Sequence, residues 1–240
     1  MFTKRERRSF VGILLVVFAL NVSVYANMIY NFDIFNNSQY ENDPRFNFTI
    51  TLTDEGLSST GKHLVGFRFD NDSTADSSIT DIYFDAYPDT SSCLDFSNVS
   101  VIESSGVSFS KKANPKTLPG GSELTPKFDK TPEYSADSDS PVSPKGINPG
   151  EWLSLVFTLK NNKSYDDVIA QIANGGSTCQ ENLRIGIHIQ SLPAGCRCSC
   201  DDSASAINCT QPIPEPATMA MLSIGAVFML RNFSNKKTVI

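Results

Sequence analysis

Histidine is the residue type whose scarcity most limits the chemistry of this chain. The 240 residues include only His63 and His188, so acid–base and metal chemistry that depends on imidazole has few candidates. His188 lies on the polar face of an alternating segment, and the sequence contains neither a Gly-x-Ser-x-Gly nor a His-Glu-x-x-His pattern. We therefore expect no catalytic residues and no enzymatic activity. A glycosidase pair of carboxylates stays open, because acidic residues are plentiful.

Cysteine is the second residue type with chemical potential. The six cysteines are Cys93, Cys179, Cys196, Cys198, Cys200 and Cys209. Outside the cytoplasm an even number favours disulfides, and six cysteines allow fifteen pairings. We expect Cys93 to pair with Cys179, since both fall near predicted strand ends, and the other four to form a small knot. A soft-metal site at those four is the alternative, although zinc ligands are usually spaced more widely.

An acidic segment at residues 70–76 concentrates oxygen ligands between two predicted strands. Asp70, Asp72 and Asp76 are candidate ligands for calcium, which takes six to eight oxygens. The EF-hand pattern is absent, because Thr74 and Ala75 stand where it needs Asp or Asn and Gly. A solvated acidic loop is therefore the default expectation, with calcium as the one candidate cofactor.

Two aromatic residues are candidates for stacking against sugars. Trp152 and Tyr83 fall on the outward phase of their predicted strands, where an aromatic ring can meet a pyranose face. That outer face could also be covered in a two-sheet packing. The row of Thr49, Thr51 and Thr53 is more simply the exposed face of one strand than an ice- or crystal-binding surface.

Alternation of apolar and polar residues predicts the elements that position these side chains. The alternating segments are residues 46–53, 65–69, 82–86, 107–109, 152–159 and 183–190. Each would place one apolar face on a core, as antiparallel sheets do. We therefore predict an all-β fold, an antiparallel two-sheet sandwich of jelly-roll type, with residues 111–148 as a long surface loop or crossover.

Turn and cap signals refine this prediction. Asn148, Pro149, Gly150 and Glu151 suit a type II turn, with Gly at its third position. One short helix is predicted after Ser164, which can cap it. Its apolar stripe would be Val168, Ile169 and Ile172, and residues 174–176 would end it.

The first 26 residues have the three parts of a signal peptide. A basic segment precedes an apolar run at residues 10–20, and cleavage is expected between Ala26 and Asn27. The basic residues are Lys4, Arg5, Arg7 and Arg8. A retained anchor is the alternative, but this run spans only about 16 Å as a helix, roughly half of a ~30 Å hydrocarbon core.

The last 27 residues repeat this arrangement in reverse. Pro214, Glu215 and Pro216 precede an apolar stretch, predicted as a membrane helix over residues 217–230. Basic residues follow it at Arg231, Lys236 and Lys237. The prolines keep the motif extended and outside the helix, and we expect it to be exposed and not part of a folded domain. The basic tip favours a cytoplasmic location.

This tail resembles the PEP-CTERM sorting signal, in which a Pro-Glu-Pro motif, a short membrane helix and a basic tip follow one another. The resemblance implies recognition by an exosortase, which cuts near the motif. The family usually has a dense basic cluster directly after the helix, whereas the two lysines here lie five residues beyond Arg231. An ordinary C-terminal anchor is the alternative.

The body is similar to a group of small exported PEP-CTERM proteins. The segments that carry this similarity are residues 81–85, 146–151 and 183–191, within a span of about 46–192. No activity is assigned to that group, so the resemblance implies a compartment and no chemistry. We expect a lead-in at 27–45, the sandwich at 46–192, a Cys-rich linker at 193–213 and the sorting signal at 214–240.

Charge supports this organisation. The whole chain has a formal charge of −6 and each end contributes three positive charges, so residues 27–215 carry −12. Such an acidic body argues against nucleic acid as a partner. The expected partners are the Sec machinery, an exosortase, the membrane before processing, and an extracellular polysaccharide.

Together these features predict an exported protein of structural or adhesive type. It would be anchored transiently in the inner membrane and then reach the cell surface or extracellular matrix of a Gram-negative-type bacterium. The alternative is a carbohydrate-binding module or cryptic glycosidase on the same β-sandwich.

We predict that the exported protein begins at Asn27, because signal peptidase selects the small Ala26 at the cleavage position. N-terminal sequencing of exported material tests this. A protein that begins at Met1 would contradict the signal-peptide interpretation.

Overall fold

The alternating segments form strands in the computed structural model, which describes residues 27–87, 92–125, 127–128, 134–160, 163–173, 182–193, 203–208 and 213–214. The strands are β1 (Met28–Asn31), β2 (Asp33–Ile34), β3 (Phe48–Leu57), β4 (His63–Asn71), β5 (Ser78–Tyr87), β6 (Leu94–Glu103), β7 (Phe109–Lys111), β8 (Tyr134–Ser138), β9 (Trp152–Leu159), β10 (Asn182–Gln190), β11 (Ala204–Ile207) and β12 (Ile213–Pro214). The helices are α1 (Val142–Lys145), α2 (Tyr165–Ala173) and a 3-10 turn (Gly121–Glu123).

The strands pair into two antiparallel sheets, which confirms the predicted two-sheet sandwich. Sheet A has the order β12-β1-β3-β4-β9-β6, and sheet B has the order β2-β11-β10-β5-β8-β7. The pairing is antiparallel at every neighbour, as the alternating sequence pattern requires when one face of each sheet is buried.

Aromatic rings join the two sheets at the centre of the core. Phe67 and Phe157 of sheet A pack against Phe84 of sheet B, with ring centroids 5.0 to 5.4 Å apart. Tyr134 of β8 adds an edge-on contact to Phe157 at 5.3 Å. These four side chains are at most 4% exposed. Because tilted and edge-on rings interlock, this cluster fixes how the sheets face each other.

The predicted helix and turn are confirmed, and residues 174–176, which were predicted to end the helix, lie outside the described residues. Ser164 precedes α2, where its hydroxyl accepts from the Asp167 amide at 3.4 Å and Asp167 accepts in return from the Ser164 amide at 2.9 Å. Val168 and Ile172 are buried against the core. At the turn, Gly150 has a φ of 83°, which a type II turn requires at this position and which glycine adopts without strain.

Two predicted boundaries are corrected. Residues 111–148 do not form one long loop, because β8 and α1 lie within them. The sandwich is also wider than residues 46–192. The lead-in supplies β1 and β2, the linker supplies β11, and β12 joins the last linker residue, Ile213, to the first residue of the predicted sorting signal, Pro214. These strands are short and lack a long alternation, so the sequence pattern did not reveal them.

Sheet B is covered on both faces. Its inner face meets the core, while residues 113–125 and 127–128, here called the roof, lie on its outer face. Leu118 and Phe128 of the roof pack around Tyr83 in a second buried cluster. Gly186 lies directly below, and a Cβ there would come within 2.6 Å of Leu118. The absence of a side chain at Gly186 therefore lets the roof lie against the sheet.

No helix within the described ranges is long and apolar enough to cross a membrane. The predicted membrane helix at 217–230 and the apolar run at 10–20 lie outside those ranges.

We predict that Gly186→Ala lowers the free energy of unfolding by about 1–3 kcal/mol, since the added carbon overpacks the roof. Ser154→Thr also adds one carbon to a strand, but on the partly exposed outer face of sheet A, and should change stability little. Chemical denaturation of both variants tests this. Equal stabilities would show that the roof does not press on Gly186.

Candidate functional site

The two ends of the folded body are hydrogen-bonded neighbours. β1 pairs with β12, with Met28 opposite Pro214 and Ile29 opposite Ile213. β12 is the outermost strand of sheet A, so Pro214 removes no hydrogen bond from the interior of the sheet. The strand that follows the predicted cleavage site therefore lies beside the strand that leads into the predicted sorting motif.

This pairing corrects one expectation about the motif. We expected the Pro-Glu-Pro segment to lie wholly outside the folded domain, whereas Pro214 is part of the edge strand β12. Its extended conformation agrees with the expectation. Glu215, Pro216 and Ala26 lie outside the described residues, so the processing steps at these positions stay predictions.

Trp152 lies on the outer face of sheet A, where it is partly exposed. The Arg68 guanidinium lies over its ring, 4.4 Å from the centroid. Arg68 also forms an ion pair with Asp70 at 2.8 Å. Asp70 lies opposite Trp152 in the β4–β9 pair. Trp152 is thus one member of a cross-strand cluster in which the cation already occupies one side of its ring.

Tyr83, the second candidate for sugar stacking, is corrected by the structure. Its side chain is fully buried beneath the roof, and its hydroxyl donates to the Pro115 carbonyl at 2.9 Å. Its outward phase along β5 was predicted correctly, but the roof covers that face of the sheet. Tyr83 therefore anchors the roof and cannot contact a sugar.

The acidic loop does not bring its candidate calcium ligands together. Asp70 is paired with Arg68, while Asp72 and Asp76 are exposed. Across the part of the chain that the structure describes, no three His, Cys, Asp or Glu side chains converge on a point that could hold a metal ion. The loop is organised by buried Asn71, whose amide donates to the Ile147 carbonyl at 2.9 Å.

A row of three titratable residues on neighbouring strands crosses the outer face of sheet B. His188 of β10 lies opposite Asp81 of β5, with 3.0 Å between Nδ1 and Oδ2, and Asp81 in turn lies opposite Asp137 of β8. His188 is 8% exposed and Asp81 is 1% exposed. The sequence pattern indicated that the polar side of β10 faces solvent, whereas the structure buries it.

A second buried pair lies four residues along the same strands. Arg184 of β10 forms an ion pair with Asp85 of β5, and both side chains are at most 5% exposed. Arg184 also donates to the Lys127 carbonyl at 2.8 Å and lies over the Phe128 ring, 5.0 Å from its centroid. The guanidinium thus ties the end of the roof to the sheet.

The sequence does contain a signal for these pairs. Asp81 and Asp85 are spaced by four residues on β5, and Arg184 and His188 have the same spacing on β10. In an antiparallel register the two acids meet the two bases in reverse order, as the structure has them. Complementary charges at matched spacing therefore indicate both the pairing and its register.

Asp137 has the clearest electrostatic perturbation in this row. Burial, together with the adjacent Asp81 carboxylate, raises the pKa of its carboxyl to about 6. The backbone amide of Asn114, at the start of the roof, donates to Asp137 and opposes this shift. The row links neighbouring strands and holds the roof. Among the described residues it contains no nucleophile paired with a base.

Cys93 is buried and has no disulfide partner among the described residues, and its amide donates to the Gln171 side chain of α2 at 3.1 Å. Burial raises the pKa of this thiol. Its predicted partner Cys179 and the four cysteines at 196, 198, 200 and 209 lie outside the described residues, so the disulfides stay predictions.

A cleft of about 410 Å³ opens between the β1–β2 junction and residues 40–48. Its lining mixes acidic and amide side chains with aromatic ones. Asp33 and Glu41 are exposed at the cleft, while Asp43 is paired with Arg45 at 2.6 Å. The cleft walls partly desolvate the Asp33 carboxyl, although its side chain is exposed on the solvent side, and this desolvation raises its pKa. This open, polar depression lacks the convergent buried donors of a specific ligand site.

Comparisons with protein-family models, curated proteins and solved structures find no match to this chain.

We predict that Asp137→Asn stabilises the protein above pH 6 and has little effect near pH 4. Because the folded pKa of about 6 exceeds the ordinary value of 3.8, folding favours the protonated carboxyl, and stability is lost as pH rises through 6. The gain at pH 7.5 should be about 1–2 kcal/mol, after allowing for partial exposure.

Asp139→Asn is the matched control. Hydrogen bonds from Ser108 and Ser110 lower the pKa of Asp139, so its neutralisation should give no gain at pH 7.5. Thermal denaturation of both variants between pH 4 and 8 tests the prediction. A destabilised Asp137→Asn at pH 7.5 would contradict it.

Proposed function

We propose that this chain is an exported protein of structural or adhesive type, attached at the cell surface or in the extracellular matrix through its C-terminal sorting signal. The pairing of β1 with β12 is the observation that best supports this proposal. The predicted cleavage site and the predicted sorting motif adjoin the two paired strands. Because both predicted processing sites lie at the β1–β12 edge of sheet A, the body can be anchored at this edge without distorting the rest of the fold.

The buried charges also favour a structural role. His188, Asp81 and Asp137 have the chemical types that catalysis uses, yet they are engaged in cross-strand contacts on a covered face. Groups that must react with a substrate need to be reached by it. In this proposal the row specifies strand register and holds the roof. A sandwich whose sheet A has a solvated outer face suits a protein of structural or adhesive type, which acts by binding to other surfaces.

A second candidate function is carbohydrate binding, which Trp152 favours. Its ring is partly exposed on the open face of sheet A beside Ser154, and Arg68 can donate to sugar hydroxyls. An extracellular polysaccharide would be the ligand. Glycan-array binding that is lost in Trp152→Ala and kept in Val156→Ala, which changes a partly buried side chain four residues away on the same face of β9, would support this candidate. Equal binding by both variants would contradict it.

We predict that the chain loses its C-terminal piece in a host with the matching exosortase. Glu215→Ala should leave an uncut, membrane-bound form, because the residue between the two prolines is the charged feature of the motif. Fractionation and C-terminal mass mapping, with and without exosortase, test this.

Glu123→Ala is the control, since it removes an exposed glutamate from the roof and should be processed normally. If the tail through Ile240 persists equally with and without exosortase, the segment is a plain anchor and the sorting proposal is wrong.

A further inference from the structure

We propose that Asp81 and Asp137 form a proton-operated clasp, which holds the start of the roof against sheet B while the two carboxyl groups share one proton and releases it when that proton is lost to solvent. Opening of the roof is then more frequent at neutral pH than in mild acid. The inference concerns the sandwich alone and stands apart from sorting, since it would hold for cut and uncut chains alike.

The first observation is that the hydrogen bonding of Asp81 is incomplete. Its Oδ2 accepts from the Thr80 hydroxyl at 2.9 Å and lies 3.0 Å from Nδ1 of His188. Its Oδ1 is buried and has no donor among the described residues. A buried carboxylate oxygen without a donor is costly, so the site favours an arrangement that supplies one.

Asp137 is the neighbour that can supply this donor. It lies directly opposite Asp81 in the β5–β8 pair, with its carboxyl within hydrogen-bond reach of the Asp81 carboxyl. Two ionised carboxylates repel each other, whereas a protonated Asp137 can donate to Asp81. One proton on the pair therefore satisfies Asp81 and removes the repulsion. The pKa of Asp137, which burial and Asp81 raise to about 6, agrees with a shared proton.

The Tyr83 hydroxyl connects this pair to the roof. It donates to the Pro115 carbonyl at 2.9 Å, and it also lies within hydrogen-bond reach of the Asp81 carboxyl. Burial and the negative charges of Asp81 and Asp137 raise the pKa of Tyr83, so the hydroxyl keeps its proton. A hydroxyl has one proton to donate, so Pro115 of the roof and Asp81 of the sheet compete for it.

Loss of the shared proton changes the outcome of this competition. Once Asp137 is ionised it can no longer donate to Asp81, and the Tyr83 hydroxyl turns from Pro115 to the Asp81 carboxylate. The Pro115 carbonyl then loses its partner in the sheet, and lifting the roof lets water solvate the two carboxylates. The Asn114 amide opposes this release by donating to Asp137, but the raised pKa of Asp137 means that burial and repulsion outweigh this hydrogen bond.

The other charged groups on the neighbouring strands do not replace the shared proton. His188 faces Asp81 from β10, on the side away from Asp137, and bonds to Oδ2 only. Asp139 of β8 adds a weaker repulsion to Asp137 while it accepts hydrogen bonds from two serines. Lys111 of β7 donates to a carbonyl of β6. The charge on the carboxyl pair therefore depends on its own proton.

The far end of the roof is held by contacts that the clasp does not include. Arg184 forms its ion pair with Asp85 and donates to the Lys127 carbonyl at 2.8 Å. The charged side chains of the roof, Lys116, Glu123 and Lys127, are exposed. Release of the clasp therefore frees the start of the roof, near Pro115, while its end at Phe128 stays attached to the sheet.

The test is hydrogen exchange of the full chain in mild detergent at pH 5 and pH 7.5, with each rate corrected for the pH dependence of unprotected exchange. The amides of Lys112 and Ala113 report on the start of the roof, because both donate to Ser135 of β8. We expect their protection to fall about tenfold between pH 5 and pH 7.5. A folded pKa of about 6, above the ordinary 3.8, gives protection that is present in acid and lost as pH rises through 6.

Two variants and one control test the parts of the clasp. Asp137→Asn does not titrate and its amide can donate to Asp81 at either pH, so protection of Lys112 and Ala113 should change less than about twofold. Asp139→Asn keeps the carboxyl pair and should keep the fall. Tyr83→Phe removes the hydroxyl that holds Pro115, so its roof should exchange faster than the wild-type roof at pH 5.

Equal protection of the wild-type roof at the two pH values overturns the proposal, as does an Asp137→Asn variant that keeps the tenfold fall. The roof amides should also exchange faster than those of β3, because a local opening costs less free energy than global unfolding. If they do not, the roof opens only with the whole molecule and the clasp is wrong. A Tyr83→Phe roof that is as protected as the wild type at pH 5 overturns the role of the hydroxyl.

Discussion

The hydrogen-bonded pairing of the first strand with the last is the interaction on which the functional account depends. β1 and β12 lie side by side at one edge of sheet A, with Met28 opposite Pro214. Because β12 is an edge strand, a proline is tolerated there, and the proposed sorting motif can begin inside the fold without breaking a central ladder. Under the proposed function, this edge of sheet A is the point of attachment.

In sheet B, strands with alternating apolar and polar residues are buried on both faces. Its inner face meets the aromatic core, and its outer face carries Asp81, Asp85, Arg184 and His188 beneath the roof. Burial of unpaired charges is costly, so each acid lies opposite a base. These pairs bind the strands in one register and hold the roof, which closes this face to ligands. Sheet A, by contrast, keeps its outer face and Trp152 open to solvent.

The sequence predicted the sandwich because long alternating segments such as β3, β9 and β10 bury one face strongly. It also placed α2, since Ser164 gives a clear cap. It did not predict β6, where Asp95 and Asn98 interrupt the alternation around a bulge, or the short edge strands, which take their conformation from their neighbours. Tyr83 was misjudged because strand phase tells which side a residue faces, whereas the roof that covers it begins 30 residues further along the chain.

Hydrogen exchange at β1 is the most direct test of the central claim, that both ends of the body belong to one edge of the fold. The measurement compares the full chain with a chain that ends at Asn208 and therefore lacks β12. The account predicts that amides within residues 28–31 which face β12 exchange slowly in the full chain and faster in the shortened one, while β3 keeps its protection. Identical exchange of β1 in the two chains would contradict the pairing, and with it the attachment of the body at a single edge.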